Sequence, residues 1–356
     1  MNKVKRVAIL FGGKSVEHEV SVRSALNVAS FLDKGLFETV LIGITKSGDW
    51  YLCNEVSKEI QSGVPVSIEL KGNDAAFVAE GEKIDFDLVF PILHGTDGED
   101  GSIQGLFKVL GKPVVGSAVL GSAVAMDKIL SKKLLEHAGV PVVAYQHFTE
   151  DEKDKIDFGM LTEKLGLPFM IKSGNLGSSV GVSKVTDEKT FHEALEDSFR
   201  YSRHILIEKF VKGRELECGV IGNEKPASTW PGEIAFRKAY EFYTYEAKYQ
   251  DAEAIEMVVP APIDRDIQEK VRQYSEQAFK ALACNDYARV DIFVSETGQV
   301  YVNEINTIPG FTNASMFPLL WKNMGLEYSE LLTKLIETAL QRWNNEKKLE
   351  THYDKA

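Results

Sequence analysis

The sequence predicts an α/β protein, and three observations carry that prediction. The apolar run Val7-Ala-Ile-Leu-Phe11 reads as a buried strand and is followed by helical periodicity from Val20 to Leu32. Further strands at Thr39 to Ile44, Leu88 to Leu93 and Pro113-Val-Val115 continue the alternation, which favours a parallel sheet covered by helices. From Leu161 the pattern changes to helices interleaved with short strands and turns, as in a small mixed sheet.

Taken in order, the first strand spans residues 4 to 11, and Gly12 to Glu19 is the turn into the first helix. Residues 53 to 82 carry no clear pattern. A helix is expected from Ser122 to His137, ending at Gly139-Val-Pro141 with glycine just past the last turn and proline beyond it. Then come a helix from Leu161 to Gly166-Leu-Pro168, a strand Phe169 to Lys172, a Gly/Ser turn and a strand Val180 to Lys184. A helix Glu188 to Phe199 and a strand Ile205 to Phe210 follow, and Glu215 to Ile221 opens the last region. There, residues 263 to 283 are helical, strands Arg289 to Val294 and Val300 to Asn303 flank a turn at Glu296-Thr-Gly298, and Tyr328 to Arg342 is an amphipathic helix before a polar tail.

Composition narrows the function. With 53 acidic residues against 41 Lys plus Arg and a net charge of −12, general affinity for nucleic acid or an anionic membrane is not expected. Any anionic substrate needs local positive charge. Cys53, Cys218 and Cys284 are far apart and form no CxxC, so neither a zinc site nor a disulfide framework is indicated. No apolar run approaches the about 20 residues of a membrane span, and the expected compartment is the cytoplasm.

Five stretches invite a chemical reading, the first of them a decoy. Gly13-Lys14-Ser15 imitates the end of a GxxxxGK[ST] phosphate loop, but the first glycine of that loop would stand at position 8, which is alanine, inside the strand. The better phosphate loop is Lys172-Ser-Gly-Asn-Leu-Gly-Ser-Ser-Val-Gly181, where Gly174, Gly177, Ser178 and Ser179 can turn N–H groups and hydroxyls toward an anion. The plain alternative is a hairpin turn of no special role. On strands, positions i and i+2 share a face, so Arg289 stands with Asp291 and Glu304 with Asn306, while Val, Ile and Phe between them face a core. Such oxygen ligands suit Mg²⁺ bridging a nucleotide; a solvated polar face is the alternative. The aromatic stretch Phe236 to Tyr249 keeps neither helical nor strand period and reads as a loop that covers something. Leu93-His-Gly-Thr-Asp-Gly-Glu-Asp-Gly101 makes a tight turn at a strand's carboxyl end, where α/β sheets bind ligands, although a lone His94 is more often structural than catalytic.

Taken together and in order, FGGKSVEHEVS, LHGTDGEDGSIQG, AMDK, GSSVG, IEKF with GRELE, YEAKY, ARVDIF and NEINTIPGFT resemble the D-alanine–D-alanine ligases of the ATP-grasp group along nearly the whole chain. The resemblance implies an N-terminal parallel α/β domain (1–127) followed by two α+β domains clasping ATP, a central lid (128–216) and a C-terminal domain (217–350). It implies that ATP phosphorylates the carboxylate of one D-alanine and that the amine of a second attacks the acyl phosphate. Lys128, Lys172 and Ser179 would hold the ATP phosphates, and Glu208, Lys209, Val211 and Glu215 the adenine and ribose. Asp291, Glu304 and Asn306 match a two-magnesium site that also admits Mn²⁺, and Arg289 with the N–H of Gly310 would stabilise the oxyanion. Glu17, linked to Ser178 and Tyr249, would bind the ammonium of the first substrate near His94, with Lys248 beside Tyr249, while Ser315 and Met316 would face the second substrate's carboxylate. The family usually forms homodimers through the N-terminal domain.

Two departures bear on ATP affinity and lid dynamics: Lys172-Ser173 replaces the usual Lys-Pro, and Asn175-Leu176 replaces charged or small loop residues. Tyr249 after Ala247-Lys248 is the form associated with dipeptide ligases. The competing expectations are a ligase taking D-lactate or D-serine second, a P-loop kinase in which Lys14 touches phosphate, and a non-catalytic sensor on the same scaffold, against which the intact set Arg289, Asp291, Glu304 and Asn306 argues.

Overall fold

The structure is a computed structural model that describes residues 4–70, 76–175, 181–237 and 255–350. Three sheets organise the described residues: one of seven strands, one of four and one of six.

The strand Lys5–Gly12 lies inside the first sheet, parallel to Phe37–Ile44 on one side and Leu88–Pro91 on the other. Its run of apolar residues is unbroken because both faces are buried: Val7, Ile9 and Phe11 enter one core, Ala8 and Leu10 the other. The first core continues into Leu331, Leu332, Leu335 and Ile336 of the last helix, Tyr328–Glu346, so the C-terminal region closes over the N-terminal sheet. That helix runs past the expected Arg342 by four residues, to Glu346.

Three expectations are corrected here. The sheet is parallel only at its centre; residues 53–82 supply antiparallel strands Val64–Glu69 and Ala76–Ala79 that extend it. In Val64–Glu69 every second residue is exposed at first and then two together, so no clean alternation marks it in the sequence. Pro113-Val-Val115 contributes a single parallel bridge, Val89 to Val114, rather than a strand. The helix expected over Ser122–His137 is two helices, Val119–Met126 and Lys128–His137, broken at Asp127. Asp127 leaves the helical conformation and its carboxylate accepts from the N–H groups of Ile129 and Leu130, which starts the second helix with Lys128 in its first position.

The four-stranded sheet runs Val182–Val185, Phe169–Ser173, His204–Lys209, Tyr145–Thr149, all antiparallel. Phe169, Ile171, Ile205 and Ile207 face the helices Phe158–Leu165 and Glu188–Tyr201, leaving Met170, Lys172, Leu206 and Glu208 together on the opposite face. The third sheet centres on Gly213–Ile221, Tyr287–Ser295 and Val300–Asn306, with the helix Arg265–Ala281 packed on one face through Val271, Ala278 and Phe279.

Gly-Gly at positions 12 and 13 is required by the turn. Both have positive φ, and a Cβ on Gly12 would lie 2.2 Å from the carbonyl oxygen of Ile44. Gly12 donates its N–H to Ser21 Oγ at 2.8 Å, and Ser21 in turn donates to the carbonyl of Ile92. The turn is thereby pinned by the helix that follows it.

Candidate active site

The open face of the third sheet gathers the charged residues. Ala288, Val290, Ile292 and Val294 point into the core, so Arg289 and Asp291 point the other way. Antiparallel register sets Glu304 opposite Asp291, Asn306 opposite Arg289, and Glu217 of the neighbouring strand beside Asp291. Arg289 grips Asp291 with two bonds of 2.7 Å, and its Nε lies 3.1 Å from Glu217. Asn306 donates to Asp291 at 2.9 Å.

Phe293, expected in the core, shares the face of Arg289 and Asp291 by strand parity, and the Lys172 ammonium lies 5.8 Å from its ring centre. A bulge after the Asp291–Glu304 pair leaves Asn303 without a cross-strand partner, and its amide oxygen lies 3.3 Å from Lys172 Nζ.

Lys128 begins its helix and reaches Glu304 at 3.1 Å, while its N–H bonds the carbonyl of Gly174 at 2.8 Å and so fastens the helix to the start of the Gly/Ser turn. One turn on, Lys132 meets Glu208 at 3.0 Å, and the other oxygen of Glu208 takes Lys172. Burial alone would raise the Glu208 pKa, but the two ammonium groups override it and hold the carboxyl at about 2. For Lys172, burial pulls the pKa down, yet Glu208, Glu304 and Glu215 bring the balance above the ordinary lysine value. Burial dominates for Lys132, whose pKa is lowered despite Glu208. Lys209 is exposed at the end of the same strand, with Val211 and Glu215 half-buried on the way into the third sheet.

A second group forms where the N-terminal sheet meets the C-terminal region. His94 is buried, with Nδ1 donating to the carbonyl of Ile308 at 2.8 Å and Nε2 3.0 Å from Ser24 Oγ. Since a carbonyl can only accept, Nδ1 carries the proton and Nε2 accepts from Ser24. Burial keeps the ring neutral, Glu17 and Ile308 opposing and Arg289 reinforcing. Glu99 accepts from the N–H groups of Gly95 at 2.7 Å and Ile308 at 3.1 Å, yet burial and then the nearby Glu17 push its pKa up to about 8. Glu17 opens the first helix beside Ser15; a Cβ on Gly95 would lie 2.9 Å from its carboxylate. Glu17, His94, Glu99 and Arg289 therefore share one electrostatic neighbourhood.

After Ile308 the chain turns at Gly310 toward the helix Met316–Asn323. A Cβ on Gly310 would lie 2.8 Å from Ser315 Oγ, which also bonds Thr312. The Met316 side chain is buried against Ile234 and Leu320, so what it presents at the helix start is its backbone N–H. Ser178, Ser179, Lys248 and Tyr249 lie outside the described residues.

Two family models match the chain, the D-ala D-ala ligase N-terminus over residues 6–117 and the D-ala D-ala ligase C-terminus over residues 134–337. The chain belongs to the D-alanine–D-alanine ligase family.

Among curated relatives, the D-alanine–D-alanine ligase of Shouchella clausii is 45% identical over 361 residues, covering 98% of each chain. Among solved structures, the D-alanine–D-alanine ligase of Coxiella burnetii is 34% identical with a TM-score of 0.85, covering 97% of each chain. The VanG D-Ala:D-Ser ligase of Enterococcus faecalis is also 34% identical, with a TM-score of 0.86 over 95% of this chain and 100% of that one. The Bacillus anthracis D-alanine–D-alanine ligase complexed with ATP is 31% identical, with a TM-score of 0.74 over 96% of this chain and 100% of that one. These likenesses carry the ATP-grasp fold and a ligase activity.

The family's metal chemistry can be tested against the side chains. Among the described residues no group of three or more His, Cys, Asp or Glu forms a ready metal cluster. Asp291, Glu304 and Asn306 offer oxygens from two carboxylates and an amide on paired strands. That sparse, all-oxygen set fits Mg²⁺, which keeps water and phosphate as its other ligands.

Sequence reasoning missed Glu99, Lys132, Glu217 and Asn303. Glu99 and Glu217 stand inside motifs quoted for the resemblance, and the alternation of Glu215 with Glu217 was a usable signal. Lys132 gave a weaker one, since it follows Lys128 by one helical turn and must share its face. Asn303 gave none, because a bulge is decided by the partner strand.

Proposed function

We propose that this chain joins two D-alanines to D-alanyl-D-alanine, converting ATP to ADP and phosphate through a D-alanyl phosphate, in the supply of peptidoglycan precursor. One observation carries the reading. Arg289 is bonded to Asp291, whose cross-strand partner Glu304 holds Lys128, and the same Arg289 acts electrostatically on His94 and Glu99 beside Glu17.

A carboxylate is a poor electrophile until one of its oxygens becomes a leaving group, and phosphoryl transfer makes it one. Positioning and charge neutralisation supply most of the catalysis for such a transfer. Lys128 and Lys172 hold the ATP phosphates with Ser179; Glu208, Lys209, Val211 and Glu215 hold adenine and ribose. Asp291, Glu304 and Asn306 would hold two magnesium ions, for which manganese could substitute. When bound, these would supply charge neutralisation for the transferring phosphoryl group.

Glu17 takes the ammonium of the first D-alanine, with Ser178 and Tyr249 completing the link and His94 and Lys248 nearby. Arg289, already fixed by Asp291 and Glu217, needs no reorganisation to meet the negative charge that develops on the tetrahedral intermediate, and the N–H of Gly310 assists. Ser315 and the N–H of Met316 stand at a helix start, where a carboxylate of the second D-alanine is favoured. We assign the N-terminal domain to residues 1–127, the central lid to 128–216 and the C-terminal domain to 217–350, in a cytoplasmic homodimer.

The test is phosphate release with ATP and Mg²⁺, supplying no amino acid, D-alanine, L-alanine, or D-alanine mixed with D-lactate or D-serine, and identifying products by mass. Release that depends on D-alanine and yields the homodipeptide is the expected result. A mixed product would move the chain to the depsipeptide or D-serine ligases, and no D-alanine-dependent release would overturn the reading.

A further inference from the structure

Lys132 is buried at 1% exposure, and its helix neighbour Lys128, one turn earlier, is engaged with Glu304. The Lys132 ammonium lies 3.0 Å from one oxygen of Glu208, whose other oxygen takes Lys172. One carboxylate, itself 1% exposed, thus stands between two ammonium groups. Among the described residues nothing else polar bonds the Lys132 ammonium, and the ring of Tyr145, paired with Glu208 across the sheet, lies 5.7 Å away.

A single lysine would already neutralise Glu208. Burying a second ammonium is costly, and an apolar side chain of similar length would fill the space without that cost. The arrangement makes sense if one of the two lysines has to leave. Lys172 is the one able to: it is the less buried, and it is also in reach of Asn303 and of the ring of Phe293 on the open face of the third sheet. Among the described residues Lys132 has no second partner to turn to. If Lys172 moved onto a phosphate in a protein lacking Lys132, Glu208 would remain as a buried, uncompensated carboxylate, which is the severe case for a broken buried pair.

We propose that Lys132 is a positioning residue for nucleotide binding: it is the standing counter-ion of Glu208 that lets Lys172 exchange this carboxylate for the phosphates of ATP. The inference rests on the reading that Lys172 holds phosphate, and it adds a requirement that this reading lacks. Lys132 itself touches neither phosphate nor amino acid.

The experiment compares Lys132→Met and Lys132→Arg with the unaltered enzyme. Binding of ATP, ADP and adenosine is measured by titration calorimetry with Mg²⁺ and without D-alanine, and steady-state KM values are measured for ATP and D-alanine. Lys132→Met should weaken ATP and ADP by about tenfold or more, as expected when a buried charge loses its partner. Adenosine brings no phosphate, so Lys172 stays on Glu208 and keeps that adenine-side carboxylate compensated; adenosine should bind as before, and KM for D-alanine should stay within about twofold. Lys132→Arg, which keeps the charge, should hold ATP affinity within about threefold.

A merely structural role would lower melting temperature without separating adenosine from ADP. Equal losses for adenosine and ADP, or unchanged ATP binding in Lys132→Met, would overturn the proposal. If Lys132→Met does not fold, a folded Lys132→Arg that loses more than about tenfold in ATP affinity overturns it too, and one that retains affinity supports it. Failure of the underlying reading is distinguishable, since Lys172→Ala in the otherwise unaltered enzyme would then leave ATP affinity unchanged.

Discussion

The imidazole of His94 donates to the carbonyl of Ile308, 214 residues further along the chain, at 2.8 Å. Its other nitrogen accepts from Ser24, whose oxygen receives the N–H of Phe311 at 3.3 Å. Helix, turn and C-terminal loop are thus joined through one neutral ring. Ser24→Ala leaves both His94 Nε2 and the Phe311 N–H buried without a partner, a loss of about 1–3 kcal/mol. Denaturant unfolding should register that loss, and KM for D-alanine should rise more than KM for ATP because the loop carries Gly310. An unchanged unfolding midpoint would contradict the relay.

Glu99 makes the loop's hold on the sheet depend on pH. Burial and Glu17 push its pKa up to about 8, from an ordinary 4.5. Between those values the folded protein keeps a proton that the unfolded chain has released. Stability from this group is therefore full below the unfolded value and is lost as pH rises through the folded one. Melting temperature should fall from about pH 5 to pH 8 more steeply in the unaltered protein than in Glu99→Gln, which cannot ionise. His94, whose pKa is lowered, contributes with the opposite sign, but it does so in both proteins and cancels in the comparison. Parallel curves would rule out the buried proton.

Much of this arrangement was legible in the sequence where burial imposes a regular pattern. The strand through Val7 and Phe11 is covered on both faces, and Ala288 to Val294 alternate because one face is core and the other carries Arg289 and Asp291. What stayed hidden depends on distant partners. Lys132 reads as a solvated helix lysine until the sheet of residues 145–209 covers it. Asn303 is turned by a bulge, Phe293 was given to the wrong face, and the break at Asp127 lies within a stretch whose periodicity runs on. The Asp-Lys-Ile start of the second helix was a capping signal that could have been used.

That break has a use. Asp127 accepts from Ile129 and Leu130 at 3.0 and 2.9 Å and so fixes the helix start that carries Lys128. Asp127→Ala should cost about 1 kcal/mol of stability, and Asp127→Asn or Asp127→Ser much less. Because Lys128 rides on this cap, KM for ATP should rise in the alanine variant while KM for D-alanine changes little. Equal changes in both would mean that the cap serves only the fold.

The lysine inside the imitation phosphate loop and the lysine that opens the actual candidate give the sharpest contrast. Lys14 reaches Asp97 at 2.9 Å on the surface, each side chain about half exposed. The Gly12-Gly13 turn before it exists because Ile44's carbonyl leaves no room for a Cβ, which is a requirement of the sheet and not of a ligand. Lys172 is buried, ion-paired to Glu208 and beside Asn303. A charge-assisted contact to phosphate is worth about 1.5–3 kcal/mol, or roughly ten- to a hundredfold in affinity. Lys172→Ala should therefore weaken ATP binding by that factor in a direct titration, whereas Lys14→Ala, which severs only a solvated pair, should shift it by less than about twofold. The reverse ranking would return the nucleotide to the first turn and undo the assignment of the central sheet.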